Sequence, residues 1–465
     1  MTVPARHLAI IACVGALLLL CAFALAGGGG GLTYEGREAD AAWRAEAEAR
    51  IDALRKADIA IVVVDEAGRP LADVPVEVSM TRHRFGFGSA VVAKRLVDAG
   101  EDEDRYQAIV AHYFNRAVFE NDLKWDPWNR AKRPDDPSYS RDKLDAALSW
   151  LGQFDIAVRG HYLAWGPIER FEAYKRYLDS PGAFREQFLA HVGEKLAAFG
   201  PAVPEWDFVN HPLGWNRRLL LLDDFVGRDV YKQVHDMARA AAPHARLVVN
   251  EGGILPTYRG ADVQRQRYID FIQGLRREGV GVDGIGFMAH FKPHTLTPPR
   301  QLLQVLDRFA ELELPLQVTE FDIRFGPNGE PYAMTPDEAR LQADYTRDFM
   351  LAVFSHPAVE SLLIWGFWEG QHYNPSAALF DRDWRIRPNG EAFFELIGER
   401  WWTDAQGATD DEGRYRVRGF KGEYEIVIGA GAQAKRHLAT VDDDFTLRLV
   451  HDQHDAAESQ TESMQ

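Results

Sequence analysis

Carboxylates, imidazoles, amides and tryptophans recur just downstream of short apolar runs in this chain. Glu120, Asn121, Lys124 and Trp125 follow one run, His161 and Trp165 the next, Asn210 and His211 a third. Asn250 and Glu251 follow another, then His290, then Glu320 and Asp322, then Trp365, Trp368 and Glu369. Such groups can attack, protonate and orient. The mixture of acids, amides and imidazoles matches hydroxyl-rich ligands, and tryptophan faces stack on sugar rings. A single charge beyond an apolar run is ordinary solvated surface. The same chemistry after seven consecutive runs is a site.

Other chemistries fit less well. No H-E-x-x-H and no cysteine cluster occurs, so neither a metal nor a cofactor is expected. No G-x-S-x-G elbow supports a Ser-His-Asp hydrolase. Both cysteines, Cys13 and Cys21, lie close to the first residue, which leaves no disulfide framework and no thiol nucleophile further on. The formal net charge of −17 argues against nucleic acid, whose phosphates need a basic surface. Carbohydrate chemistry by carboxylates is the leading reading.

The elements that must hold these side chains follow from periodicity. Eight apolar runs are visible: Phe85 to Val91, Arg116 to Phe119, Ile156 to His161, Trp206 to Val209, Leu247 to Asn250, Gly284 to Phe287, Leu316 to Thr319 and Ser361 to Phe367. Helix-like stretches alternate with them, among them Arg141 to Phe154, Phe225 to Ala242, Pro298 to Leu312 and Pro336 to Ser355. Thr335-Pro336-Asp337-Glu338 and Thr297-Pro298 are helix starts. Eight β/α units predict a (β/α)8 barrel, with the polar rim at the C-terminal ends of its strands. The alternative is an open doubly wound sheet, but no glycine-rich phosphate loop follows the first strand.

In that context FENDLKW (119–125), RGHYLAW (159–165), EWDFVN (205–210), GIGFMAH (284–290), VTEFDI (318–323) and LLIWGFWEG (362–370) resemble the successive strand-end motifs of glycoside hydrolase family 10. That family comprises β-1,4-xylanases and relatives on a (β/α)8 barrel. The resemblance implies Glu320 as nucleophile. It implies Glu120, Asn121 and Lys124 as holders of the sugar on the glycone side, with Trp125 packing behind. His161 and Trp165 match the third-strand sugar contacts, Asn210 the amide beside the catalytic acid, His290 the histidine that orients the nucleophile, and Trp365 the last-strand platform. Asn250, on the neighbouring strand end, completes the expected substrate-binding set.

The pattern breaks at one decisive place. The family writes Asn-Glu at the end of the fourth strand, and that Glu is its general acid/base; here the pair is Asn210-His211. A retaining glycosidase uses two carboxyl groups about 5–5.5 Å apart, one attacking and one protonating. Three readings are open. Histidine can itself give and take a proton near neutral pH. Glu251 or Glu369 can replace it. Or the site binds glycans without cutting them. Met288 also stands where the family has Gln, and Gly166 where a histidine follows the tryptophan.

The remaining chain divides by texture. Residues 1–26 have the form of a signal peptide, with Arg6 before an uncharged apolar stretch and Ala24-Leu25-Ala26 at its end, so export or a retained membrane anchor is expected. Residues 27–57 hold a linker and an amphipathic helix from Ala41 to Lys56. Residues 58–82 read as two strands about a Gly-Arg-Pro turn, 83–402 as the barrel, and 403–450 as further strands. Residues 451–465 are a polar tail. The segments at 58–82 and 403–450 resemble the opening and closing parts of a carboxypeptidase-regulatory-like β-sandwich, and a single discontinuous sandwich is expected beneath the barrel. The expected ligand is a β-linked polysaccharide or oligosaccharide, xylan by default, with no obligate protein partner. A carbohydrate-binding protein of impaired catalysis is the alternative.

Overall fold

The computed structural model describes residues 32–131, 139–215, 218–431 and 434–451. Before the barrel come helix α1 (Ala42–Arg55) and strands β1 (Lys56–Val64) and β2 (Pro75–His83). Then follow β3 (Gly86–Val91), β4 (Arg116–Phe119), β5 (Ala157–Gly160), a two-residue β6 (Ala164–Trp165), β7 (Glu205–Asn210), β8 (Arg246–Gly252), β9 (Gly284–Phe291), β10 (Leu316–Ile323) and β11 (Val359–Ile364). All are parallel neighbours in the order β5-β4-β3-β11-β10-β9-β8-β7-β6. β5 also pairs with β7, Arg159 opposite Glu205 and Gly160 opposite Trp206, which closes the ring. The expected eight-stranded parallel barrel with its helices is present, and extra sheets flank it.

Burial on both faces explains why the strands read as apolar runs. Every residue of β10 is buried. Its alternation sends Glu320 inward and Phe321 outward, where the Phe321 ring stacks on Phe349 at 4.4 Å. β9 and β10 therefore run to Phe291 and Ile323, past the polar residues at which a hydrophobic pattern stops. The last strand is shorter than expected: it ends at Ile364, and Gly366 turns the chain at φ 105°. The helix at Pro336–Phe354 starts on a capping box, Thr335 accepting from the Glu338 N–H and Glu338 accepting from the Thr335 N–H, a device worth about 1 kcal/mol. The stretch from Phe225 to Ala242 is not one helix; Leu222–Val226 and Val230–Ala241 are separate.

After the barrel come β12 (Asp404–Ala408), β13 (Arg414–Phe420), β14 (Gly422–Ile428), β15 (Lys435–Val441) and β16 (Phe445–Val450). One sheet has the order β13-β1-β16 and the other β12-β2-β14-β15. β1 and β2 thus belong to different sheets, and each is flanked on both sides by strands from the far end of the chain. Ile59, Ile61 and Val63 are buried on one sheet, Val76, Val78, Tyr424, Ile426 and Ile428 on the other. The His83 ring joins this unit to the barrel floor, 5.1 Å from Phe87, 5.5 Å from Phe354 and 5.7 Å from Phe420. Arg55, at the end of α1, donates to the carbonyls of Phe354, His356 and Val359 at 2.7–2.8 Å. The unit therefore lies at the end where barrel strands begin, opposite the polar rim.

Residues 1–26 lie outside the described residues, and no helix among the described ones is long and apolar enough to cross a membrane. His451, read with the tail from sequence, is buried and its N–H donates to the Val64 carbonyl. The rest of the tail is outside the described residues.

Candidate active site

At the rim the strand ends converge on Glu320, which is 4% exposed. Its Oε2 lies 3.1 Å from His290 Nε2, and its Oε1 accepts from Asn250 Nδ2 at 3.4 Å. The other face of the His290 ring is held by Asp322, with Nδ1 to Oδ2 at 2.8 Å. Asp322 also accepts from the Tyr373 hydroxyl at 2.6 Å. Burial disfavours the charged imidazole, but Asp322 and Glu320 outweigh it and raise the His290 pKa to about 9. A cationic His290 donates through both ring nitrogens. Burial likewise pushes the Glu320 carboxyl up. The His290 hydrogen bond, with the electrostatic influence of the surrounding imidazoles, more than reverses this, so Glu320 sits below the usual carboxylate range. It is an ionised, oriented carboxylate at the centre of the ring.

Two amides lock next to it. Thr319 Oγ1 donates to Asn250 Oδ1 at 2.7 Å, so Nδ2 of Asn250 must point toward Asn210 Oδ1, 2.9 Å away. The Asn210 Nδ2 group is left with no protein partner among the described residues. A buried donor in that position suits a ligand hydroxyl.

His211 directly follows the fourth barrel strand with φ 53°, the left-handed region that few non-glycine residues adopt. Its side chain is 17% exposed and makes edge contacts with the rings of Trp165 at 5.0 Å and Trp215 at 5.2 Å. Nδ1 lies 3.0 Å from Glu251 Oε1. Glu251 is buried; Oε1 also accepts from the Gly252 N–H at 2.7 Å and Oε2 from the Leu213 N–H at 2.8 Å. A carboxylate that already accepts two backbone N–H bonds requires the proton on His211 Nδ1, which leaves Nε2 for the cleft. The three departures from the family pattern are neighbours. A Cβ on Gly166 would fall 1.9 Å from the His211 carbonyl oxygen, and one on Gly252 would meet His211 Cε1 at 3.1 Å and Met288 Sδ at 3.7 Å.

The opposite half of the cleft holds the remaining expected residues. His161 Nδ1 lies 2.7 Å from Asp207 Oδ2, and burial lowers its pKa. Asp207 is in turn held by Arg159, its Oδ1 accepting from Nε at 3.0 Å. Lys124 donates to Asn121 Oδ1 at 2.9 Å and lies 5.9 Å from the Trp365 ring centroid; burial lowers its pKa, and Glu320 and Glu120 offset this only in part. Burial raises the Glu120 carboxyl and takes Asp122 to about 6. Trp125 is buried and stacks on His191 at 5.0 Å. Glu369, one of the sequence candidates for the acid, is instead ion-paired to Arg387.

Sequence reading missed Tyr373, Trp215 and the supporting role of Asp207. Asp207 had a signal, a carboxylate between Trp206 and Phe208 in a buried strand; Tyr373 lies in a loop beyond every motif. No group of three or more His, Cys, Asp or Glu among the described residues is placed to hold a metal.

Comparison with known proteins decides the family. The pattern of Glycosyl hydrolase family 10 matches residues 78–396. The chain belongs to that family. This family 10 chain is 31% identical over 395 residues to Anti-sigma-I factor RsgI6 of Acetivibrio thermocellus, covering 84% of this chain and 47% of that protein. It is 23% identical over 379 residues to Endo-1,4-beta-xylanase 2 of Arabidopsis thaliana, covering 81% and 33%. The chain thus spans less than half the length of these two curated relatives. Native xylanase 10B of Thermotoga maritima shares the fold, with a TM-score of 0.56, 22% identity, and coverage of 68% of this chain and 96% of that one.

Proposed function

We propose that this family 10 protein is an exported retaining glycoside hydrolase acting on a β-linked polysaccharide, xylan by default. Glu320 is the nucleophile and His211 the acid/base. Support comes chiefly from one arrangement: an ionised Glu320 held by His290 and Asn250, facing a rim where His211 is backed by Glu251. In the first step Glu320 attacks the anomeric carbon while His211 Nε2 gives its proton to the departing glycosidic oxygen. In the second, His211 takes a proton from water, which displaces Glu320 and restores the sugar hydroxyl. Glu251 stabilises the imidazolium that His211 forms before the first step and regains in the second. Asn210 Nδ2 is the donor for a ring hydroxyl beside the scissile bond, Glu120, Asn121, Lys124, His161 and Trp365 hold the glycone half, and Trp165 contacts the sugar beside His211.

A second reading has its own support. His211 stands where the family carries a carboxylate, and one relative is named an anti-sigma factor. On that reading the barrel binds glycan without efficient turnover. A reducing-sugar assay over a panel of β-glycans, with Glu320→Gln as control, separates the two. Hydrolysis by the native protein and none by the variant is expected. Binding of xylan without release of reducing ends by either protein sinks the hydrolase.

A further inference from the structure

The half of the cleft beyond His211 carries the opposite charge to the molecule as a whole. The chain has 53 Lys and Arg against 70 Asp and Glu. Yet a cavity of about 700 Å³ beside His211 and His290 is walled by Arg259, Arg267, Lys292 and Arg324. Its one carboxylate, Glu251, is buried and engaged by His211, Gly252 and Leu213. Other surface cations find partners, as Arg228 does with Glu278 at 2.7 Å and Arg300 with Glu46 at 2.7 Å. Among the described residues none of these four does. Arg267 donates to the Gln264 amide oxygen at 3.0 Å, and Arg324 to the Tyr373 hydroxyl at 3.0 Å with its Nε unsatisfied.

The four come from three successive β/α units. Arg259 follows β8, Arg267 is on the helix Ala261–Arg277, Lys292 follows β9 and Arg324 follows β10. Local sequence does not cluster them; the barrel does. Gathering cations without counter-charges is unfavourable unless a ligand supplies them. The room available suits sugar units rather than one small ion. The glycone half, with Glu120 and Asp122, has no such excess.

We propose that the leaving-group half of this cleft takes a glycan bearing carboxylates, that is, uronate units branching from or within a β-linked chain, held by Arg259, Arg267, Lys292 and Arg324. The assignment of halves rests on the glycosidase reading above. Histidine in place of a carboxylate at 211 fits the same ligand, since it removes a negative charge from the border of this half.

Calorimetry on Glu320→Gln tests it, with uronate-branched xylo-oligosaccharides, β-linked oligo-uronates and the carboxyl-reduced form of each. The acidic form of at least one pair binds about tenfold more tightly at low salt, and the preference fades at 1 M NaCl, where the screening length falls to about 3 Å. Which pair shows it tells branch from main-chain uronates. The triple change Arg259→Gln, Arg267→Gln, Lys292→Gln, verified as folded by circular dichroism, removes the preference. Equal affinity for acidic and reduced forms, or no binding of any, overturns the proposal. Turnover by the native protein is scored separately. Cleavage of acidic and reduced forms at equal kcat/KM keeps the hydrolase and overturns the cationic subsite. Tighter binding of the acidic form without any cleavage does the reverse.

Discussion

The carbonyl oxygen of His211 occupies the space where a side chain at residue 166 would begin, 1.9 Å from the position of a Cβ there. The Gly166 N–H donates to the Asn210 carbonyl at 2.8 Å, so the two loops are sewn together at the site of the unusual histidine. A histidine after Trp165, as in the family pattern, cannot be accommodated beside this His211 backbone. Two substitutions far apart in sequence are therefore one structural feature.

Gly166→Ala is expected to lower stability by about 1–3 kcal/mol, because the new methyl meets backbone rather than a movable side chain. The melting temperature should fall by several degrees, and activity by more than the stability loss explains, since His211 must shift. An unchanged melting curve and rate would show that the two loops separate freely.

His211→Ala should cost about 10²–10⁴ in rate on substrates with poor leaving groups and little on activated aryl glycosides, the pattern of a lost proton donor. Glu251→Gln should cost less and in the same direction, since it weakens the imidazolium without removing it. Equal losses on both substrate types would assign His211 to binding instead. His211→Glu restores the family residue, and a large gain from it would mark the native protein as impaired.

Stability should fall on both sides of neutrality. His290 is raised to about 9, so its contribution is complete below the ordinary histidine pKa of about 6.5 and is lost as pH climbs through about 9. His83 and His372 are buried and lowered to about 3 and about 4, so the unfolded chain takes up their protons first. Their neutral forms lose ground as pH falls below about 6.5 toward those values. Melting temperatures measured from pH 4 to 10 should form a dome several degrees high. His290→Gln should flatten its alkaline limb and His83→Asn its acid limb; limbs that survive these changes would move the effect to other groups.

A chain ending at Trp402 should be much less stable than one ending at 451. It strips β1 of both neighbours, β13 and β16, and β2 of both of its own, β12 and β14. Ile59, Ile61, Val63, Val76 and Val78 then lose their cover, and two unpaired strands are marginal in water. Chemical unfolding and light scattering read the result. Equal stability would make the flanking sheets dispensable.

The sequence by itself determined the barrel and most of its rim. Strands buried on both faces must read as apolar runs, and a carboxylate or imidazole ending such a run must sit where the run meets solvent. Glu120, His161, Asn210, His290 and Glu320 were legible for that reason, as was His211 as the odd residue in the set. What the tertiary structure alone decided is pairing. Glu251 behind His211, Tyr373 on Asp322, the His211 carbonyl against Gly166 and the pairing of β1 and β2 with strands after the barrel all join positions tens to hundreds of residues apart, and the four cations are gathered from three successive units. Hydrophobic periodicity is local and says which face of an element is buried. Which partner waits there depends on how the closed ring of strands brings distant loops together.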